Sequence, residues 1–308
     1  MTELRVAIVG FGKIARDQHL AAIAATDGVA LVAIVDPHAV HPGLPHFATL
    51  DDLVRSDVSV DAVAICTPPQ VRGAAAAAAL AAGKHVLLEK PPAVGVSEVE
   101  ALIPMAERGQ RTLFAAWHSR FAPAVEPARQ WLASRRIKSV RINWKEDVRV
   151  WHPGQRWIWE AGGFGVFDPG INALSILTHI LPRPPFVTAA HLSIPANCAM
   201  PIAAQLSLSD SSGLPISAEF DFRQTGLQSW DIVAETETGS LTLSGGGRRL
   251  SVGGDVLVDA MEAEYRGIYC RFVELMSTGA SDVDLTPFQL VADAFMLGKR
   301  ETVEAFEQ

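Results

Sequence analysis

The sequence predicts a two-domain α/β protein, with a doubly wound parallel sheet first and an α+β domain with a mainly antiparallel open sheet second. The first third alternates short β-branched runs with helical patterns, which is typical of a parallel sheet covered on both faces. After about residue 118, alternating segments separated by Gly- and Ser-rich turns predict antiparallel strands. A chain of 308 residues is long enough for two domains. We therefore predict domains at 1–118 and 119–308.

The elements of the first domain follow from apolar runs and the residues that stop them. Thr67-Pro68-Pro69 and Glu89-Lys90-Pro91-Pro92 each follow an apolar strand. Ser97, followed by Glu100, predicts an N-cap. The predicted strands are 6–9, 30–35, 62–65, 85–88 and 112–116, and the predicted helices are 14–25, 70–82 and 97–108.

In the second domain the pattern changes to strands of alternating polarity. A region dense in aromatic and polar residues, 151–172, follows the first of these strands. The predicted strands are 139–144, 186–194, 202–208, 216–222, 230–235 and 240–243, and the predicted helices are 123–134, 261–277 and 287–303.

Composition and charge exclude several classes of protein. The net charge of −8 and the pI near 5.6, without a basic stripe, argue against nucleic acid or an anionic membrane as partner. Three widely separated cysteines suit a reducing compartment. The start of the chain lacks a signal-peptide pattern, and the alanine-rich stretch 73–82 is too short for a membrane span. We expect a cytoplasmic protein.

A glycine-rich turn, Gly10-Phe11-Gly12, joins the first strand to the first helix. Gly10 suits the tight turn and Gly12 allows a pyrophosphate to approach the backbone, while Ala15 takes the place of the third glycine. The second predicted strand ends at Asp36, 24 positions after Gly12. A carboxylate there can accept hydrogen bonds from both ribose hydroxyls of NAD. The sequence therefore predicts a Rossmann domain that binds a dinucleotide.

NAD is the expected cofactor, and NADP is expected to be less preferred. Asp36 would face the 2′-phosphate of NADP as a like charge. Pro37 has no N–H to offer that phosphate, and His38 is mostly neutral at pH 7.

Two further segments suggest chemistry. Lys90 follows an apolar strand and precedes two prolines, at the strand end where ligands bind in doubly wound sheets; the alternative is a surface lysine in a loop. Asp168, followed by Pro169, is predicted to be an N-cap, with Asn172 on the same helical face. A structural cap and a solvated amide would explain Asp168 and Asn172 equally well.

These features together resemble the Gfo/Idh/MocA family of glucose–fructose oxidoreductase and inositol dehydrogenase relatives. Within it the chain is most similar to the bacterial L-arabinose and D-galactose 1-dehydrogenases. The resemblance covers essentially the whole chain and is carried by the segments 12–19, 88–92, 117–120, 144–147, 151–160, 167–175 and 291–295.

The resemblance implies roles for particular residues. Lys90 and Asp168 would flank the reacting carbon with Asn172 beside them. Many family members have a histidine in place of Asn172 that exchanges the proton, which an amide cannot do. Asp168 or a neutral Lys90 therefore remain as proton acceptors. The expected cofactor contacts are Gly10, Gly12, Lys13, Ile14, Asp36, Thr67, Pro68, Glu89 and Lys90, and the expected sugar contacts are His118, Glu146, Trp151, His152, Asp168, Asn172 and Trp230.

The implied reaction transfers hydride from C1 of an aldopyranose to NAD(P)+ and gives the 1,5-lactone. D-Galactose and L-arabinose share their ring configuration from C1 to C4, so one site can accept both. Two alternatives are a family dehydrogenase acting on an inositol or another aldose, and a non-catalytic NAD(P)-binding sugar sensor. We expect no metal, and the open sheet leaves room for a homodimer.

Overall fold

The computed structural model describes residues 3–261 and 263–307. The chain separates into two compact units. The first unit contains the chain up to His118 together with Tyr265–Asp284. The second contains Ser119–Glu264 and the chain from Leu285 onward. The two continuous domains predicted from the sequence thus differ from these units in residues 265–284.

Strands and helices alternate in the first unit, whereas strands dominate the second. The strands are β1 Leu4–Val9, β2 Val29–Val35, β3 His46–Phe47, β4 Ala62–Ile65, β5 His85–Leu88, β6 Leu113–Ala115, β7 Ile137–Lys145, β8 Phe186–Pro195, β9 Ala203–Ser209, β10 Ile216–Asp221, β11 Ser229–Thr236, β12 Gly239–Ser244, β13 Arg249–Val252, β14 Asp255–Asp259 and β15 Lys299–Val303. The α-helices are α1 Leu20–Ala24, α2 Leu50–Arg55, α3 Pro69–Ala81, α4 Val96–Gly109, α5 Val125–Ala133, α6 Val148–Trp151, α7 Phe167–Ile180, α8 Glu264–Thr278 and α9 Thr286–Leu297. A π-helical turn, Ala15–His19, leads into α1.

A parallel sheet with the strand order β3-β2-β1-β4-β5-β6 forms the centre of the first unit. Every residue of β4 is fully buried, as expected for strands covered on both faces. The strand order reverses between β1 and β4, and ligands of doubly wound sheets bind at such a switch point. The predicted Rossmann fold is confirmed.

Helix α8 belongs to the first unit because it packs on the edge of this sheet. The ring of Phe272 stacks on Phe114 of β6, with ring centroids 6.3 Å apart. The backbone of Asp282 exchanges hydrogen bonds with Leu113 and Ala115 on β6. These contacts join segments about 170 residues apart, and such pairing leaves no local signal in the sequence.

The second unit is built on a nine-stranded sheet of order β14-β13-β12-β11-β7-β10-β9-β8-β15. Its pairings are antiparallel except for β7 with β10 and β8 with β15. Helix α7 packs against this sheet, and a Cβ at Gly170 would lie 3.1 Å from the ring of Phe220 on β10. Glycine at this position therefore allows the helix to approach the sheet closely, and the predicted open, mainly antiparallel sheet is confirmed.

Several predicted boundaries were wrong. The last helix ends at Leu297 rather than 303, because Gly298 turns the chain into β15 beside β8. Ser97 is the second residue of α4 and not its N-cap, since the helix begins at Val96 after Gly95. The edge strand β3 and the hairpin β13–β14 were not predicted at all.

Within residues 3–261 and 263–307, no helix combines the length and apolar character needed to cross a membrane. The same residues contain no cluster of His, Cys, Asp and Glu that could hold a metal ion.

Candidate active site

The glycine-rich turn lies beside the end of β4, at the switch point of the parallel sheet. Gly10 has φ 88°, and a Cβ added to it would lie 2.7 Å from the backbone nitrogen of Thr67. Gly12 faces open space, with nothing within 4 Å of such a Cβ. The side-chain oxygen of Thr67 is buried and has no hydrogen-bond partner among the described residues. An open glycine backbone and an unpaired hydroxyl at a switch point fit a bound dinucleotide.

Asp36 directly follows β2 and folds back onto the glycine-rich turn. Its Oδ2 accepts the N–H of Phe11 at 2.7 Å, and its Oδ1 accepts the N–H groups of His38 and Ala39 at 2.8 and 2.9 Å. Burial raises the pKa of Asp36, but these three hydrogen bonds outweigh it and hold the pKa below its usual value. A carboxylate has about four acceptor positions. The three backbone N–H groups take three of them, and a further position on Oδ2 remains for a ribose hydroxyl.

The remaining predicted cofactor residues of the turn lie near the surface. Lys13 forms an ion pair with Asp17 one helical turn later. Ile14 is half-buried at the start of the helix, and Pro68 is the N-cap of α3.

Lys90 follows β5 in a tightly held turn that includes a cis peptide bond to Pro91. The buried guanidinium of Arg72 on α3 donates to the carbonyl of Glu89 at 2.7 Å, and also to the carbonyls of Pro91 and Thr67. One side chain thus holds the turns after β4 and β5 together. Sequence reasoning missed Arg72, whose only signal is a charged residue within an alanine-rich buried helix.

Glu89, predicted as a cofactor contact, is 2% exposed, and its two carboxylate oxygens are bound within the first unit. Its Oε1 lies 3.0 Å from Nε2 of His19, and its Oε2 accepts the N–H of Lys90 at 2.8 Å. Nδ1 of His19 lies 2.8 Å from the hydroxyl of Tyr269. Sequence reasoning gave His19 no role, although its position on the apolar face with Ala15, Ala22 and Ile23 was a signal.

His118 is the last residue of the first segment of the first unit, and its ring stacks on Tyr265 of α8 with centroids 5.2 Å apart and an interplanar angle of 20°. It was predicted as a sugar contact; the structure places it with the nucleotide-binding unit, near Glu89, whose pKa its charge helps to lower.

In the second unit, Glu146 connects most of the predicted sugar contacts. It follows β7, is 5% exposed, and its Oε1 lies 3.0 Å from Nε2 of His152. Its Oε2 accepts the indole N–H of Trp230 at 3.0 Å. Trp230 meets Trp151 edge-to-face, with ring centroids 5.1 Å apart. We call these four residues the Glu146 cluster.

Asp168 extends this cluster from α7. Its Oδ2 lies 3.8 Å from Nδ1 of His152, and the residue is 3% exposed. Helix α7 begins at Phe167 after Val166, so Asp168 lies inside the first turn and is not the predicted N-cap. The positive end of the helix dipole there favours a carboxylate. Asn172 is half-buried one turn later, on the same face.

Comparisons with known proteins identify the family of the chain. A family model described as an oxidoreductase family with an NAD-binding Rossmann fold matches residues 4–116. A galactose 1-dehydrogenase of Pseudomonas fluorescens is 47% identical over 306 residues, which cover 99% of both chains. The crystal structure of a D-galactose-1-dehydrogenase from Rhizobium etli has 55% identity and a TM-score of 0.95, covering 100% of this chain and 99% of that one.

More distant structures share the fold alone. The 3-ketoreductase KijD10 of Actinomadura kijaniata has 18% identity and a TM-score of 0.88, covering 99% of this chain and 100% of that one. Full-length similarity at 47% identity goes well beyond a shared fold. The chain therefore belongs to the Gfo/Idh/MocA family of oxidoreductases, which bind a nicotinamide cofactor in a Rossmann domain.

Proposed function

We propose that this protein is an NAD-dependent aldose 1-dehydrogenase that oxidises D-galactose, and L-arabinose as well, to the 1,5-lactone. The observation that carries the proposal is the Glu146 cluster with Asp168 beside it. Buried carboxylates and an imidazole suit the recognition of sugar hydroxyls, and indole rings suit the apolar face of a pyranose. The 47% and 55% identical relatives named as galactose 1-dehydrogenases support the choice of substrate.

Bound NAD supplies the hydride acceptor, and the protein supplies binding and proton handling. We propose that Gly10, Gly12, Lys13 and Ile14 hold the pyrophosphate, that Asp36 accepts one ribose hydroxyl, and that Thr67 and Pro68 complete this half of the site. Because the Asp36 carboxylate is fixed by three backbone N–H groups, it cannot easily turn away from a 2′-phosphate. We expect a preference for NAD over NADP of at least about tenfold in kcat/KM, or about 1.4 kcal/mol.

As the C1–H bond breaks and the hydride leaves, the O1–H proton must pass to a base while the C1–O1 double bond forms. We propose that Lys90 contacts O1 and that Asp168 tunes it, while Asn172 orients the hydroxyl; the opposite assignment, with Asp168 as the base, is the alternative. Glu146, His118 and His152 would bind the other hydroxyls, and Trp151 and Trp230 would pack on the ring.

The activity is tested with a panel of aldoses and inositols in the presence of NAD, followed by the absorbance of the reduced cofactor. We expect D-galactose and L-arabinose to be oxidised and inositols to be inert. Oxidation of an inositol, or of an aldose at another carbon, would point to a different family activity. Cofactor binding without turnover of any sugar would point to a sensor.

The role of Lys90 is tested with Lys90→Met. Loss of an acid/base group should lower kcat by about two orders of magnitude or more while leaving NAD binding within about threefold. Lys138→Met, which removes an exposed lysine of β7, is the matched control and should retain full activity. A Lys90→Met enzyme within a few-fold of wild type would contradict the assignment.

We also propose a cytoplasmic location, which the three free cysteines favour. A homodimer formed through the outer face of the nine-stranded sheet is proposed as well. That face bears the pairs Lys145–Glu219 and His191–Glu301. Light scattering after size exclusion measures the oligomeric state, and a monomer at micromolar concentration would contradict the dimer.

A further inference from the structure

The first unit contains a buried ion pair, His19–Glu89, that the proposed reaction does not use directly. Their side chains are 0% and 2% exposed, and the imidazole Nε2 lies 3.0 Å from the carboxylate Oε1. We call these two residues the His19–Glu89 pair. Burying charged groups costs several kcal/mol per ion, and replacing such a pair by apolar side chains is often neutral or stabilising. Stability alone is therefore a weak reason for this pair.

The pKa directions of both members favour the charged forms of the pair. Burial raises the pKa of Glu89, but the hydrogen bond and charge of His19, followed by the charges of His118 and Arg72, outweigh it and lower the pKa to about 2. Burial lowers the pKa of His19, yet its interactions with Cys66, Tyr269 and Glu89 hold that pKa well above the usual value. Since a cation faces an anion, the pair as a whole adds little net charge to its surroundings.

Geometry connects the pair to Lys90. One oxygen of the Glu89 carboxylate binds His19, and the other accepts the backbone N–H of Lys90 at 2.8 Å. Arg72 holds the carbonyl groups of Glu89 and Pro91 on either side of Lys90. The backbone from which the Lys90 side chain extends is therefore held before, at and after that residue.

The other side of His19 is anchored on α8. Its Nδ1 lies 2.8 Å from the hydroxyl of Tyr269, and its ring meets that of Tyr265 edge-to-face at 5.1 Å. A hydrogen bond at each ring nitrogen fixes the orientation of the imidazole. The line of contacts thus runs from α8 through His19 and Glu89 to the backbone of Lys90.

We propose that His19 and Glu89 are positioning residues for the dehydrogenase reaction, which hold the backbone of Lys90 so that its amino group meets the sugar O1 correctly. The inference rests on the proposed role of Lys90 as an acid/base group. Small misplacements of a reacting group, of about 1 Å, can cost about a hundredfold in rate even when binding is intact.

The test is Glu89→Gln, which keeps the size of the side chain. An amide has one acceptor oxygen and a donor NH2 group, so it cannot accept from both a His19 imidazolium and the Lys90 N–H, and the ion pair is lost in either orientation of the amide. We expect kcat for D-galactose to fall at least tenfold, while the dissociation constant of NAD, from fluorescence titration, and the KM for sugar stay within threefold. Glu107→Gln, on the exposed side of α4, is the matched control and should behave as wild type.

A double-mutant cycle separates positioning from independent structural effects. If the pair acts as one unit, His19→Gln combined with Glu89→Gln should have a kcat within twofold of Glu89→Gln alone. If the two residues act independently, their losses should multiply. Should Glu89→Gln fail to fold, Tyr269→Phe removes only one hydroxyl from the line of contacts and should lower kcat about threefold with NAD binding unchanged.

Two results would overturn the inference, and they differ from failure of the proposed function. A Glu89→Gln enzyme with kcat within threefold of wild type, beside an inactive Lys90→Met enzyme, would refute positioning alone; an unchanged kcat for Tyr269→Phe would do the same in the fallback experiment. Parallel losses in kcat, sugar KM and NAD affinity would show general disorder of the site instead. An active Lys90→Met enzyme would refute the role of Lys90 itself.

Discussion

Two glycines of the same turn should respond differently to substitution by alanine: Gly10→Ala should lower the stability of the protein, whereas Gly12→Ala should weaken the binding of NAD. Gly10 has φ 88°, and its added Cβ would lie 2.7 Å from the nitrogen and 2.9 Å from the Cα of Thr67. The left-handed conformation costs an alanine about 1–2 kcal/mol. Because the clash is with backbone, the turns after β1 and β4 must separate, at a further cost of about 1–3 kcal/mol. We expect Gly10→Ala to lower the free energy of unfolding by about 2–5 kcal/mol, or the Tm by about 4–20 °C.

Gly12→Ala is the matched control for stability and the test for binding. Nothing lies within 4 Å of its added Cβ, and its φ lies outside the left-handed region. The apo protein should keep its Tm or gain slightly, because alanine reduces the entropy of the unfolded chain. If Gly12 lies against the pyrophosphate, as we propose, the same methyl group should weaken NAD binding at least about tenfold, or about 1.4 kcal/mol.

The assays are thermal unfolding without cofactor and fluorescence titration with NAD. The reasoning on Gly10 fails if Gly10→Ala unfolds at the wild-type temperature, since the φ angle and the Thr67 contact would then be wrong. The reasoning on Gly12 fails if Gly12→Ala binds NAD as tightly as wild type. A loss of Tm in Gly12→Ala would also contradict the open space beside it.

Asp168→Ala should lower kcat much more than Asn172→Ala if the carboxylate shapes the proton step and the amide only orients substrate; unchanged pH–rate profiles for Asp168→Ala would argue against this. Changing Asp36 to Ser together with Pro37 to Arg should shift the NADP/NAD ratio of kcat/KM at least about tenfold, because it adds a cation and frees backbone N–H groups for the phosphate; an unchanged ratio would show that Asp36 does not select the cofactor. Because the folded pKa of Glu89 is lowered to about 2 from 4.5, its stabilisation is present above pH 4.5 and is lost as the pH falls towards 2. The Tm of the wild type should therefore fall between pH 4.5 and 2, and the Tm of Glu89→Gln should change less over the same range. Parallel curves of Tm against pH for the two proteins would contradict the charged state of Glu89.

The strands β1, β2, β4, β5 and β6 of the first unit were predictable from sequence because their signals are local. Each apolar strand is followed by its own turn residues, so β4 and β5 were predicted to the residue. The hairpin β13–β14 had a local signal that was overlooked, since Gly253-Gly254 joins Val252 to Asp255 as a two-residue loop. Strand β15 had no such local signal. Its side chains are mostly exposed, and its pairing with β8 joins residues more than 100 positions apart.

The candidate site also consists of a part with local sequence signals and a part without them. The glycine-rich turn and Asp36 depend on one β-α-β unit, and sequence spacing was enough to find them. The residues that hold Glu89 and the turn around Lys90 come instead from separate stretches of chain, with His19 and Tyr269 250 positions apart. No window of sequence contains that arrangement, and a histidine on an apolar helical face predicts burial without predicting a partner.

In the Glu146 cluster, the register of the sheet brings together residues that are far apart in the sequence. Strands β7 and β11 pair antiparallel with Lys145 opposite Ser229, so Glu146, one residue beyond, comes within reach of Trp230 although 84 positions separate them. Any shift of this register by one residue would turn one of the two side chains to the opposite face of the sheet. The proposed substrate half of the site therefore depends on a strand pairing to which the core residues Ile142 and Ile232 contribute, both fully buried and paired with each other. A substitution that leaves a cavity at Ile142 or Ile232 should weaken the Glu146–Trp230 hydrogen bond more than it affects the nucleotide-binding turn, which lies in the other unit.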